Sequence, residues 1–239
     1  PPQDTNQIYT PKWVVKMMID KMENEDPTLF CQPDKTFADL YVKSGLYLAE
    51  IVKRLYKGLK THIPDPNARL QHILENQIYG FAPSKIIHNI ACNFVFGFDE
   101  RANNIDQSHL VFLDTTPYAK NESDKSFKEK CDELFVGEKI MPFDTIVGNP
   151  PYQDNIEHRE EQPAVYHYFY DLAKNVSKKY CLISPARFLF NVGATPNQWN
   201  EKMLNDKYLK VLFFEQNSAK VFPPPIDIKG GVLVDPLRC

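Results

Sequence analysis

Short β-prone apolar runs alternate with longer amphipathic stretches along this chain, and that order leaves few folds open. Strand-like runs fall at 36–40, 77–81, 109–114, 143–148, 179–184, 209–214 and 232–234. Between them lie helical patterns. Thr10 reads as an N-cap and Pro11 as the first turn of a helix through Trp13–Ile19. Ser44-Gly45 opens a helix with Leu48, Ile51, Val52 and Leu55 on one face and Lys53, Arg54, Lys57 and Lys60 on the other. Further helices are expected over 67–75, 83–96, 164–176 and 199–204, with a weak one over 125–134. Strand, crossover helix and strand in repetition predict an α/β fold: a mostly parallel central sheet with helices on both faces. The working residues of such sheets sit at the carboxyl ends of the strands.

A length of 239 residues suits one domain with a core of its own. We divide it into an N-terminal helical segment (1–35), a first half (36–114), a polar surface excursion (115–142) and a second half (143–239). The 28 basic and 31 acidic residues give a net charge of −3, which excludes a polybasic protein held to phosphate by bulk charge. It leaves room for a locally basic cleft. No apolar run reaches the ~18 residues of a membrane helix, and Pro1-Pro2-Gln3-Asp4 is no signal peptide. Cys31, Cys92, Cys131, Cys181 and Cys239 form no CxxC pair, so they read as thiols of a reducing cytoplasm. His62, His72, His88, His109, His158 and His167 have no metal-ligand spacing, and no metal site is expected. A start without methionine and a stop at Cys239 suggest a fragment of a longer chain.

The sharpest chemical signal is Asn149-Pro150-Pro151-Tyr152, directly after the run 143–148. Two prolines fix the backbone and remove two N–H donors while keeping their carbonyls as acceptors. An amide side chain, rigid carbonyls and a phenol ring then project from a strand end. That set suits a planar amine, whose two N–H groups the Asn oxygen and a backbone carbonyl accept while the Tyr ring stacks on its face. Accepting both protons localises the nitrogen lone pair. Read alone, the tetrapeptide could also be a plain turn.

Asn149 to Tyr152 resembles the catalytic motif of amino-group methyltransferases that use S-adenosylmethionine. The wider layout resembles adenine-N6 DNA methyltransferases of the gamma arrangement, found in restriction–modification systems. Tyr9-Thr10-Pro11, the loop from Asp39 to Gly45, Ser184-Pro185-Ala186-Arg187-Phe188, Val221-Phe222-Pro223 and Ile228-Lys229-Gly230-Gly231-Val232 carry that resemblance. It implies a Rossmann-like methyltransferase fold acting on an adenine flipped out of double-stranded DNA. Asn149, Pro150, Pro151 and Tyr152 would be catalytic. The cofactor would lie among Thr10, Pro11, Asp39, Lys43, Ser44, Gly45, Phe81, Asp114 and Asn149. Arg159, Lys178, Lys179 and Arg187 are candidates for phosphate contacts, each also readable as a solvated helix-face charge. A target-recognition domain or subunit, and a nuclease domain, would lie outside the chain.

Two departures fall on the cofactor half. The family's loop reads Asp-Pro-x-x-Gly-Ser-Gly, whereas here Leu40 replaces Pro and Lys43 replaces the first Gly. Lys43 reads first as a solvated loop cation, then as a ligand of a carboxylate or phosphate. Ala82 stands where the family places an acid for the ribose hydroxyls. A hydrogen bond to such a charge is worth roughly 1.5–3 kcal/mol, so its loss predicts cofactor binding weaker by about one to two decades. Two other readings stay open: a protein-glutamine or ribosomal RNA amino-methyltransferase, and a non-catalytic DNA-binding subunit with a decayed cofactor site.

Overall fold

The computed structural model describes residues 8–97, 100–102, 104–138, 140–154, 163–224 and 226–234. His158, Arg159 and Cys239 lie outside them. Seven strands form one sheet in the order β3-β2-β1-β4-β5-β7-β6. They are β1 (Phe37–Asp39), β2 (Ile78–Ala82), β3 (Leu110–Phe112), β4 (Phe143–Gly148), β5 (Ser177–Pro185), β6 (Phe213–Glu215) and β7 (Val232–Val234). The first five in that order are mutually parallel, and β7 runs antiparallel to both β5 and β6.

The helices are α1 (Lys12–Glu25), α2 (Leu46–Gly58), α3 (Pro66–Asn76), α4 (Lys85–Phe96), α5 (Thr116–Ala119), α6 (Phe127–Leu134), α7 (Tyr166–Val176) and α8 (Asn197–Leu204). Several starts follow from local chemistry. Asp65 accepts the Ala68 N–H at 2.7 Å ahead of Pro66, and Ser84 accepts the Ile87 N–H at 3.3 Å. From β1 the connections step outward through α2, α3 and α4 to β2 and β3, and on the other side through α7 from β4 to β5. Right-handed crossovers that travel in opposite directions put these two groups of helices on opposite faces. The reversal falls between β1 and β4, where Ala38 pairs with Ile146.

Apolar packing holds the layers together. The inner stripe of α2 (Leu48, Ile51, Val52, Leu55) is buried, and Arg54 on the same helix donates to Asp20 on α1 at 2.6 Å and to Glu50 at 3.0 Å. Phe37, Phe81, Phe143, Phe169 and Tyr170 are among the largest fully buried side chains.

Three expectations are corrected. Helix α1 is capped by Pro11 with no side-chain cap bond, so Thr10 is not its N-cap; the threonine hydroxyl is engaged elsewhere. Of the expected strand 209–214 only Phe213 and Phe214 enter the sheet, joined by Glu215, because β7 pairs with Phe213–Glu215. Segment 115–142 is not merely a surface excursion. Its helix α6 opens on a Ser126/Glu129 capping box and buries Phe127 and Cys131, with Phe127 packed on Phe81 at 4.9 Å between ring centroids.

Gly80 sits in β2 where any side chain would collide: an added Cβ would lie 2.4 Å from Leu110 Cδ1, 2.8 Å from Leu48 Cδ1 and 2.9 Å from Val42 Cγ2. Gly80→Ala should therefore destabilise the domain by about 1–3 kcal/mol through overpacking, read as a lower midpoint in urea unfolding at an unchanged slope.

Candidate active site

Asp39 ends β1 and Asn149 follows β4, so the two meet at the carboxyl edge where the strand order reverses. Gly148 makes the approach possible, since a Cβ there would lie 2.8 Å from Asp39 Oδ1. The Asp39 carboxylate is 3 % exposed, and Oδ1 accepts the Tyr41 N–H at 3.0 Å. Burial pushes its pKa up to about 7, against the pull of that hydrogen bond and of the Lys43 charge.

The loop after β1 is anchored by backbone. Leu40 O accepts the buried Thr115 hydroxyl at 2.6 Å, and Val42 N–H donates to Phe81 O at 2.8 Å. Gly45 takes φ +79° at the start of α2, where a Cβ would lie 2.9 Å from Val95 Cγ2. Lys43 is not the solvated cation the sequence suggests. It is 7 % exposed, and its Nζ donates to Ile8 O at 2.9 Å. Desolvation lowers its pKa to about 7, opposed by Asp39.

The segment Ile8–Thr10 crosses this edge. Asn149, 2 % exposed, donates from Nδ2 to the same Ile8 carbonyl and to Thr10 Oγ1, each at 3.0 Å. The Thr10 hydroxyl oxygen also accepts from Tyr47 OH at 3.3 Å. The nitrogen end of the amide is thus spent on positioning, while Oδ1 is buried without a hydrogen-bond partner. A space of about 10 Å³, room for about one water, is bounded by Thr10, Asp39, Lys43, Gly45, Tyr47 and Asn149, with Ser44 also on its wall.

Pro150 and Pro151 are buried and lead to Tyr152, which is 6 % exposed. Val165 N–H donates to Tyr152 O at 3.1 Å, and the ring meets Tyr166 edge-on at 6.5 Å. The Tyr152 hydroxyl has no hydrogen-bond partner, and burial raises its pKa. The side chain lines a second cavity of about 120 Å³ together with Ile8, Tyr166, Arg187, Ile228 and Lys229. A cavity near 150 Å³ holds one benzene, so this one is on the scale of an aromatic ring. Arg187 is fixed by its Nε–H donating to Lys229 O at 2.6 Å. Gly230, at φ +84°, lets the backbone pass, since a Cβ there would lie 2.9 Å from Arg187 Cγ.

The structure therefore brings Thr10, Asp39, Lys43, Ser44, Gly45 and Asn149 to one cavity and Tyr152 and Arg187 to the next. Other expected residues are not brought there. Phe81 is fully buried against Phe127 and Phe135, a core position one residue before the end of β2. Asp114 is exposed beyond β3 and accepts the Thr116 N–H at 2.9 Å, and Pro11 serves α1 as its cap. Lys178 pairs with Asp144 at 2.7 Å and Lys179 with Asp26 at 2.9 Å, both at the amino end of β5 and so at the opposite edge of the sheet. Sequence reasoning missed Ile8, Tyr47 and Tyr166. Ile8 acts through its carbonyl, which no side-chain pattern reveals. Among the described residues no helix is long and apolar enough to cross a membrane, and no metal-holding cluster occurs.

Strand order and the paired sites at the switch point define a Rossmann-like methyltransferase fold. Comparison with known proteins narrows this. Residues 76–222 match the Eco57I restriction-modification methylase family, and the chain belongs to that family. An "uncharacterized adenine-specific methylase" of Mycoplasma pneumoniae is 23 % identical over 278 residues, covering 95 % of this chain; the chain spans 66 % of that relative's length. Among solved structures, a nuclease-deletion mutant of the Type ISP restriction-modification enzyme LlaGI, in complex with a DNA substrate mimic, superposes with a TM-score of 0.71 at 14 % identity, over 97 % of this chain and 23 % of that one. The M protein of the Type I restriction enzyme EcoKI gives 0.59 at 12 % identity, over 98 % of this chain and 44 % of that one. At these identities the structures show a shared fold.

The family implies S-adenosylmethionine. The donor set fits its amino-acid end: a buried carboxylate, a buried ammonium and a helix start at Gly45 with no side-chain cap bond. The free space among these residues is about 10 Å³.

The buried pair also sets a pH signature. Asp39, with a raised pKa, contributes stability that is full below about 3.8 and lost as pH rises toward about 7. Lys43, with a lowered pKa, contributes stability that is full above about 10.5 and lost as pH falls through about 7. The double variant Asp39→Asn/Lys43→Met should therefore be more stable than the parent, by a margin largest near pH 7 and smaller at pH 4 and pH 10, measured by urea unfolding.

Proposed function

We propose that this chain is the catalytic methyltransferase part of an adenine-specific DNA methylase of a restriction–modification system, moving a methyl group from S-adenosylmethionine to N6 of an adenine flipped from double-stranded DNA. The observation that carries this reading is the orientation of Asn149. With Nδ2 held by Ile8 and Thr10, the amide keeps Oδ1 as an unspent acceptor on a residue that lines the Asp39 cavity and stands three positions before Tyr152.

In this reading Asn149 Oδ1 and the Pro150 carbonyl accept the two N–H groups of the exocyclic amine. Conjugation with the ring weakens, and the nitrogen lone pair turns toward the cofactor side. Tyr152 stacks on the base. Flipping costs a few kcal/mol, and an aromatic platform returns roughly 1–3 kcal/mol per base. Asp39, Thr10, Ser44 and Gly45 would hold the cofactor, which supplies a methyl group on a positively charged sulfur. Arg187 and Lys229 would face the nucleotide's phosphate at the mouth of the larger cavity.

The chain covers part of its relatives, so a recognition domain or subunit and a nuclease belong to the proposal as partners beyond these residues. LlaGI, a restriction-modification enzyme solved with a DNA mimic, supports it. Protein-glutamine or RNA substrates offer the same planar donor pair; the match to a restriction-modification family favours DNA. One observation favours a second reading, a binding subunit without cofactor: the Asp39 cavity holds only about 10 Å³.

The test is methyl incorporation into unmethylated DNA by the full-length protein, with N6-methyladenine as the product detected. Its absence from a folded protein at saturating cofactor would exclude the enzyme reading. Asn149→Ala should lower turnover by at least about 100-fold, the scale of losing an acceptor used in the transition state, while calorimetric cofactor affinity stays within about three-fold. Tyr152→Ala should reduce kcat/KM by about 5- to 150-fold, the equivalent of roughly 1–3 kcal/mol of stacking.

A further inference from the structure

Lys43 is a buried cation whose partner does not match its charge. An ammonium carries three donors, and the hydrogen bond it makes among the described residues is to one neutral carbonyl, that of Ile8 at 2.9 Å. Taking an ammonium out of water costs several kcal/mol unless an anion answers it. Asp39 lowers that cost from a distance but makes no ion pair with it. Lysine is also an odd choice at the tight entry to α2, where the family pattern has glycine.

The cavity wall around Lys43 has a common chemistry. Helix α2 starts there with Gly45 as its cap and no side-chain acceptor for its first-turn N–H groups. Gly45, Leu46 and Tyr47 line the same cavity as the Lys43 ammonium. The Asp39 carboxylate lines the same cavity. The lining thus joins positive charge and N–H donors with a carboxylate acceptor. A molecule carrying a carboxylate and an ammonium on one carbon complements both.

We infer that the Lys43 side chain is the ligand of the α-carboxylate at the amino-acid end of the cofactor, turning to it from Ile8 with the uncapped start of α2 as its second donor. This rests on the methyltransferase reading and adds to it a charge contact that the family's glycine cannot make. It also offers an anchor at the end of the cofactor remote from the ribose, where Ala82 leaves none. Because Asn149 donates to the same Ile8 carbonyl, the turn of Lys43 leaves that acceptor to the catalytic amide alone.

The experiment is calorimetry on the full-length protein with two probes, S-adenosylhomocysteine and 5′-methylthioadenosine, which shares the nucleoside and thioether but has no amino-acid group. Lys43→Met, of similar length and uncharged, should weaken S-adenosylhomocysteine by about 10- to 100-fold and leave methylthioadenosine within about three-fold; Lys43→Arg should recover part of the loss. An equal loss for both probes, or tighter S-adenosylhomocysteine binding by Lys43→Met, would overturn the inference, the latter showing the lysine to be a plug. On the unmutated protein, the α-carboxamide of S-adenosylhomocysteine should bind at least 10-fold more weakly than the acid, so the inference is tested even if the variants do not fold; equal binding would sink it. A parent protein that binds neither S-adenosylhomocysteine nor S-adenosylmethionine at millimolar concentration would overturn the methyltransferase reading as well. Tight binding insensitive to Lys43 and to the carboxamide would overturn the inference alone.

Discussion

The parallel pairing of β1 with β4 is the constraint on which the rest of the site depends. It sets Ala38 beside Ile146 and so delivers Asp39 and Asn149 to one edge from opposite halves of the sequence. Connections on either side of this pair travel outward in opposite directions, which leaves a crevice above it. The approach is close enough that Gly148 has no room for a methyl group next to the Asp39 carboxylate. The sheet therefore does more than carry the site: its register fixes the separation between the acidic loop and the amide.

Around that edge the chain tolerates groups that work against its own stability. A carboxyl and an ammonium are both held nearly out of water, each with its pKa moved to about 7. Asn149 Oδ1 and the Tyr152 hydroxyl are buried without partners. Buried polar groups are normally satisfied; two exceptions beside a buried carboxyl and a buried ammonium at one strand edge mark a place where stability has yielded to function. Away from that edge, α2 and α4 pack apolar stripes and the caps at Asp65, Ser84 and Ser126 are filled.

Much of this was legible in the sequence, for physical reasons that differ by element. Residues 143–148 are read correctly to the residue because an apolar run met a double proline that had to end it. The helices expected over 67–75 and 83–96 form over Pro66–Asn76 and Lys85–Phe96, the second capped by Ser84. The segment 115–142 hid its contribution because its composition is polar, although Phe127, Cys131 and Phe135 recur at the four-residue spacing of a helix face. The resemblance puts Phe81 among the cofactor residues, but every residue of β2 is buried, and a strand covered on both faces shows no alternation to say which side chain looks where. The resemblance sets Thr10 and Lys43 at the cofactor site and both line the Asp39 cavity, but their local readings as a helix cap and a solvated cation do not hold. A cap and a surface cation are their commonest local roles, and only tertiary contacts more than 30 residues away in sequence reassign them.

The bond between Ile8 and Asn149 joins residues 141 positions apart. The entropic cost of closing so long a loop rises only slowly with its length, so a contact this distant in sequence is tolerated. Residues 149–152 therefore do not orient the amide by themselves. That orientation depends on Ile8–Thr10 lying across the sheet edge, so changes in that segment reach Asn149 from far away in sequence.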